Sequence, residues 1–327
     1  MRLAIEILAE NLKRRGLKKR HQKIMERIQC SLPQLLSTDK LNATERVAAG
    51  KYLAQCGDSR QQVLNIDAIQ FCQVSKGKFY LDSALQSVSY SYAISRYPVT
   101  VAQFRQFVEE ASYQPEDTDC LNGLENAPVV YVSWHDAIAF CKWLTKHWQE
   151  KDWLLEGWRV ELPSEPEWEK AARGGLSVPV MAENYMLARE LRDSVSIEPE
   201  PEKNKFQQRL YPWGDEINDE RLNYQSNINQ VSSVGCYPLG KSPYGCEEMS
   251  GNVREWTRSL YKEDYPETED LGQNRNFSSK YGRYVLRGGA FSDYQYFVRC
   301  SARSDGDPGL RISGIGFRVV LSPLPDR

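Results

Sequence analysis

Apolar residues recur at helical spacing through the first sixty positions of the chain. The stretch from Ile5 to Gln29 interleaves Ile, Leu and Met with many Lys, Arg and Glu. Ala43–Cys56 then places Val47, Leu53 and several alanines on one side, ahead of Gly57, a suitable C-cap. This pattern predicts a helical N-terminal segment over 1–62. From Val63 the texture changes to short apolar runs broken by turn residues, and residues 63–327 read as one main domain. Three helices are marked by their caps. Thr100 has Gln103 three positions on. Ser133 has Asp136, followed by an apolar face of Ala137, Phe140, Cys141 and Leu144. Ser164 has Glu167, with Pro166 early in the helix and Gly174–Gly175 ending it. Residues 176–208 contain the Pro- and charge-rich run SIEPEPEKNK and read as an exposed insertion, with VMAENYMLARELRD predicted helical before that run. From Tyr211 to Pro323 no long helical period exists. That part must be turn-dense β structure held by aromatics and by side-chain-to-backbone bonds.

The formal charge is −2, and no run of 18 apolar residues occurs. With no basic excess over the whole chain, neither a nucleic-acid nor a membrane partner is expected. The start is amphipathic and charged, without the apolar core of a signal peptide, and predicts a cytoplasmic protein. Eight scattered cysteines form no CxxC pair and are expected to be free, mostly buried thiols. The only histidines are His21, His135 and His147. The sequence contains no GxSxG, Walker loop, HExxH, or GxGxxG after a strand.

Seven landmarks follow one another: RYPVTVAQFRQFV (96–108), APVVYVSWHDAIAFCKWL (127–144), WRVELPSEPEWEKAARGG (158–175), YPWGDE (211–216), MSGNVREWT (249–257), YVLRGGAF (284–291) and GIGFRVV (314–320). In this order they resemble the sulfatase-modifying-factor family, whose best-known members are the formylglycine-generating enzymes. The resemblance implies an α+β, C-type-lectin-like fold with little regular secondary structure. Within it, Trp213 and Trp256 are expected as core anchors. Gly288 and Gly289 suit positive φ or close backbone approach. Arg287 and Arg318 are expected to be buried partners of carboxylates such as Glu169 and Glu255.

Formylglycine-generating enzymes hold copper with two cysteines shortly after the RGG motif, a soft-ligand pair suited to Cu(I). Here that stretch reads AFSDYQYFVRCSAR. Asp293 stands near the first cysteine position, and Cys300 is the only thiol. A related branch, the iron-dependent sulfoxide synthases, takes three His ligands, and three scattered histidines do not supply them. The resemblance therefore implies neither catalytic metal, and a metal-dependent oxidoreductase is the less favoured alternative.

The segment FSDYQYFVRCSARSDGDPGLRISG (291–314) is rich in Tyr, Phe, Ser, Asp and Gly, the composition of a paratope. Codons of the form NNC exclude Trp, Met, Gln, Lys and Glu. Those types number 76 of 327 residues, yet this segment contains one, Gln295. The pattern resembles the variable proteins of diversity-generating retroelements. By that resemblance the displayed, ligand-binding residues over 290–314 are Ser292, Asp293, Tyr294, Tyr296, Phe297, Ser301, Ser304, Asp305, Gly306, Gly309, Leu310, Ile312, Ser313 and Gly314. Arg299, Arg303, Pro308 and Arg311 are scaffold. The expected partner is a protein or small molecule bound by this surface, and the N-terminal helices suit an adaptor role toward a signalling partner. Family members also bind structural cations. The side chain of Asn252, the carbonyl of Val253 and the carboxylate of Glu255 are oxygen ligands for a structural Ca²⁺ or Mg²⁺, with Asn223 resembling part of a second site. No catalytic cofactor is expected.

Overall fold

Asn42 starts the helix Ala43–Cys56 (α2): its side chain accepts from the Glu45 N–H while Glu45 reaches back to the Asn42 N–H, a capping box. The structure is a computed structural model that describes residues 19–194, 200–263 and 282–323. The preceding helix α1, Lys19–Leu36, contains Pro33, which cannot bond the Gln29 carbonyl. The Ser59 hydroxyl donates to that carbonyl instead, at 2.8 Å. Leu32, Leu36, Val47, Leu53, Cys236 and Tyr237 form one small core, so the helical pair shares its buried face with the main domain. Arg46, 1% exposed, fixes the contact by donating to the carbonyls of Cys236 at 2.7 Å and Glu220 at 2.8 Å. A Cβ on Gly50 would lie 2.8 Å from the Cys236 sulfur and the Ser233 Cβ, so this approach needs glycine. Asp58 pairs with Arg60 and accepts from Asn126 at 2.8 Å, adding a second buried tie.

The main domain contains strands β1 (Gln70–Val74), β2 (Gly77–Leu81), β3 (Ala84–Val88), β4 (Tyr92–Ser95) and β5 (Trp158–Glu161), with helices α3 (Val101–Glu110), α4 (Trp134–Glu150) and α5 (Glu165–Arg173). β6 (Ser177–Pro179), β7 (Met186–Leu187), helix α6 (Ala188–Ser194) and β8 (Pro201–Lys203) follow, then β9 (Arg254–Leu260), β10 (Tyr284–Arg287), β11 (Arg303–Gly306), β12 (Ile315–Gly316) and β13 (Val320–Pro323). The larger sheet has the order β5-β13-β4-β1-β7, and the smaller has β11-β10-β9-β12. β13 lies between β5 and β4, so the last strand closes the sheet begun by the first ones. All three predicted capping boxes, at Thr100, Ser133 and Ser164, are formed in both directions. α3, α4 and the chain end meet in an aromatic core of Phe104, Phe107, Phe140 and Phe317, with ring centroids 5.4–6.3 Å apart.

Two expectations are corrected. VMAENYMLARELRD does not form one helix, because Met186 and Leu187 pair with β1 as strand and only Ala188–Ser194 is helical. Edge pairing satisfies backbone groups that helix would otherwise have claimed. Trp213 is not a buried anchor. It lies half-buried at the surface, stacked on Tyr211 at 5.4 Å, whereas Trp256 is fully buried. The predicted exposed run is partly outside the described residues, at 195–199.

Candidate functional site

The scaffold under the C-terminal segment is a set of buried ion pairs. Arg318 is fully buried and grips Glu255 with two bonds of 2.7 and 2.8 Å, while Trp168 donates to the same carboxylate at 2.7 Å. Arg287 reaches Glu165 at 3.0 Å, Glu169 and the Cys300 carbonyl. Arg303 holds Glu165 with bonds of 2.6 and 2.9 Å, as a scaffold residue should. Arg258 binds both oxygens of Glu167. Such pairs tolerate burial because each charge has a matched partner, and removing one partner strands the other. The pairings expected for Arg287 and Arg318 are therefore present, with α5, β9 and β10 tied together.

After β10 the chain turns sharply. Gly288 has φ 90° and Gly289 φ 72°, and a Cβ on Gly289 would sit 2.6 Å from the Phe297 carbonyl. The residues that follow are held by backbone groups and by the buried side chains of Asp293 and Val298. The Phe291 N–H donates to Asn252 O, its carbonyl accepts from Ser226 N–H, and the Asp293 carbonyl accepts from Gln225 N–H. Ser250 holds the Val298 carbonyl at 2.7 Å, and the Cys300 N–H bonds to Leu210 O at 2.7 Å. Asp293 accepts from the Ala290 N–H at 2.7 Å and from Arg254 Nε at 2.9 Å. On this fixed loop Tyr294 is 65% exposed, Tyr296 63% and Phe297 45%. Tyr296 and Phe297 meet edge to face at 5.5 Å, and the Arg299 guanidinium lies 5.2 Å over the Tyr296 ring.

The fourteen predicted display positions separate accordingly. Ser292, Tyr294, Tyr296 and Phe297 are exposed on the loop, and Ile312 and Ser313 are exposed on the returning segment. That return lies beside the loop, because the Gly314 carbonyl accepts from Arg254 N–H and a Cβ on Gly314 would be 3.0 Å from that of Ala290. Ser304 and Asp305 are half-buried along β11, the edge of the smaller sheet, with Asp305 paired to Arg283, and Ser301 is half-buried in the turn before it. Gly309 is exposed, and Leu310 packs against the main core. Three positions are not displayed. Asp293 is 8% exposed and serves as an internal ion-pair brace. Gly306 is buried against Trp256, where a Cβ would come within 2.6 Å of the indole, and Gly314 is buried at the Ala290 contact. Arg311 pairs with Glu116 and Asp136, and the Pro308 carbonyl accepts from Trp134 N–H.

Cys300 is fully buried, and burial pushes its thiol up to about 12. It is a protonated core residue and not a poised thiolate. Sequence separation hid another pair. Cys72 on β1 and Cys246 lie side by side in the core. Burial raises both thiols, but the Cys72 hydrogen bond and the Arg318 charge outweigh it at Cys246, holding that thiol below its usual value while Cys72 rises well above. A cavity of about 160 Å³ lies between α4 and β5, lined by Ile138, Cys141, Lys142, Thr145, Arg159, Val160 and Glu161, none of them a predicted ligand-binding residue.

The predicted cation set does not fit a cation. Both Glu255 oxygens are already held by Arg318 and Trp168. The Asn252 oxygen accepts from the Ser232 N–H at 2.8 Å and from Asn223, and its amide donates to Ser232 O and Glu248. Asn252 and Glu255 are thus structural braces. Among the described residues, no group of three or more His, Cys, Asp or Glu side chains is placed to hold a metal ion. Asn223 does keep a buried Oδ1 without a hydrogen-bond partner. Burial pushes the neighbouring Glu248 up to about 8.

The model of the sulfatase-modifying factor enzyme 1-like domain matches residues 54–323. The chain belongs to this family. The formylglycine-generating enzyme of Mus musculus is 29% identical over 215 residues, a match covering 61% of this chain and 45% of that one. The chain thus spans less than half of that relative's length. The inactive C-alpha-formylglycine-generating enzyme 2 of Mus musculus is 26% identical over 280 residues, covering 71% of this chain and 75% of that protein. Among solved structures, Treponema denticola variable protein 1 superposes with a TM-score of 0.52 at 19% identity, covering 77% of this chain and 95% of the other. That likeness places the chain in the formylglycine-generating-enzyme-like fold, as the seven sequence landmarks implied. Among the described residues no helix is long and apolar enough to cross a membrane.

Proposed function

We propose that this family member binds a ligand without catalysing a reaction, through the face made by Ser292, Tyr294, Tyr296, Phe297, Ile312 and Ser313. The observation that carries this reading is the exposure of Tyr294, Tyr296 and Phe297 on a loop gripped by its backbone. Rigid, exposed aromatics give contact area at low entropic cost, and the serines beside them add adaptable polar contacts. The copper-binding cysteine pair has no counterpart after Arg287, since Asp293 is an ion-pair brace and Cys300 a buried thiol. A relative described as inactive and a neighbour described as a variable protein are consistent with this reading. The depletion of Trp, Met, Gln, Lys and Glu in 291–314 supports diversification by a retroelement, which on this structure would be confined to the exposed positions.

The experiment compares the intact chain with Tyr294→Ser/Tyr296→Ser/Phe297→Ser in capture of a binder selected on the intact chain. Loss of capture with unchanged unfolding is expected, and full retention refutes the face. Stoichiometric Cu(I) binding with oxygen-dependent turnover of a cysteine peptide would establish the oxidoreductase reading instead. In the neighbouring DNA, a near-copy of the coding segment for 290–320 that differs at adenines, next to a reverse-transcriptase gene, is the expected mark of diversification.

A further inference from the structure

The cavity between α4 and β5 has walls of two kinds. Ile138, Cys141, Val160 and Glu161 are buried and form its inner side. Lys142 is exposed and the Arg159 side chain is 33% exposed, so these two cations mark its mouth. Ile138, Cys141, Lys142 and Thr145 recur at i, i+3, i+4 and i+7, which puts them on one face of α4. β5 is an edge strand of the larger sheet, yet its backbone is already answered here. The Val160 N–H donates to the Thr145 hydroxyl at 2.9 Å, and that hydroxyl donates to the Cys141 carbonyl at 2.9 Å. A pairing peptide strand is thus excluded at this point, and the space suits a small molecule. The unusual group is Arg159. Its Nε is buried without a hydrogen-bond partner, and Glu161 Oε1, 3.2 Å away, is out of line for a bond. A guanidinium with unspent donors beside a cavity gains by meeting an acceptor there.

We propose that this cavity binds a small organic monocarboxylate. Its carboxylate meets Arg159, with Lys142 adding attraction, and its hydrocarbon body lies against Ile138, Cys141 and Val160. The sign of the charge follows from the neighbours. Glu161 is flanked by Arg159 Nε at 3.2 Å and Arg258 Nε at 3.7 Å, and Arg258 also binds Glu167. Arg159, Arg258 and Lys142 thus face two carboxylates, which leaves one positive charge for the ligand to match. A guanidinium fork fits a planar carboxylate with two parallel bonds. A cavity of about 150 Å³ accommodates one benzene ring, and this one, at about 160 Å³, takes a body of that size. Inorganic phosphate would satisfy the cations but leave the apolar wall uncovered. The site shares no residue with the recognition face proposed above, so either reading can fail without the other.

The test is fluorine NMR of para-fluorobenzoate with the full chain, beside para-fluorobenzamide, which has the same shape without the charge. Saturable binding of the acid at millimolar concentration or below is expected, with the amide about ten-fold weaker or worse. Arg159→Gln should weaken the acid by about ten- to a hundred-fold. Lys142→Glu, a change at an exposed position, should weaken it as well with an unchanged thermal midpoint. The Tyr294→Ser/Tyr296→Ser/Phe297→Ser variant should bind the acid as the parent does. Absence of binding overturns the proposal, as does equal binding of acid and amide, an unaffected Arg159→Gln, loss of binding in the triple variant, or displacement of the acid by an equal concentration of inorganic phosphate. Should Arg159→Gln not fold, Lys142→Glu and the comparison of acid with amide on the intact chain decide.

Discussion

Asp293→Ala should destabilise the protein far more than any change at the aromatic positions beside it. The carboxylate answers the Ala290 N–H at 2.7 Å and a two-pronged contact from Arg254. Ala290 is 1% exposed, so its N–H would lose its acceptor in a dry environment, at about 1–3 kcal/mol. Arg254 keeps 27% side-chain exposure and can regain water, so its share is discounted to about 1 kcal/mol or less. The total is about 1–4 kcal/mol. Tyr294→Ser and Tyr296→Ser remove side chains 65% and 63% exposed and should each stay within about 0.5 kcal/mol of the parent. Urea unfolding followed by tryptophan fluorescence at pH 7 measures all three. An Asp293→Ala midpoint equal to the parent, or tyrosine variants as damaged as Asp293→Ala, would refute the division into brace and display residues.

Gly306→Ala forces a Cβ to within 2.6 Å of the Trp256 ring and should cost about 1–3 kcal/mol, measurable in the same urea assay. Arg318→Ala leaves Glu255 buried without its cation and should cost about 3–5 kcal/mol or prevent soluble expression. Glu248 holds its proton up to about 8 when folded and releases it near the ordinary carboxyl value when unfolded, so its contribution is present at acid pH and declines as pH rises toward 8. Glu248→Gln should therefore gain stability over the parent at pH 8 and little at pH 5, and an equal gain at both would contradict that origin. Arg46→Ala removes the bonds to Cys236 and Glu220 and should loosen α1 and α2 first, seen as faster proteolysis ahead of residue 60.

Much of the frame was legible because its signals are local. Thr100, Ser133 and Ser164 carry their box partners three residues away, and all three formed. Arg287 and Arg318 were placed with Glu169 and Glu255 because buried guanidinium groups in such a fold need carboxylates. The display face was only half legible. Residue types in 291–314 suggested recognition, but a segment with no period of 2 or 3.6 does not tell which side chain turns inward. Asp293 resembled its exposed neighbours until Arg254, thirty-nine positions earlier, proved to be its partner. Gly306 and Gly314 read as small and tolerant, yet each is small because another group fills the space. Glu255 looked like an oxygen ligand, and only the closure of β12 beside β9 brings Arg318 against it. Cys72 and Cys246 had no signal at all, since their contact is made by the tertiary fold alone.

A loop tethered through its amides and carbonyls, and not through its outer side chains, has a practical use. Positions 292, 294, 296, 297, 312 and 313 can be randomised together in a surface-display library while 293, 306 and 314 are kept fixed. Most clones from such a library should fold, because the altered atoms do none of the holding. The same arrangement lets selection, in the laboratory or in the cell, sample new specificities without first relearning how to make the protein.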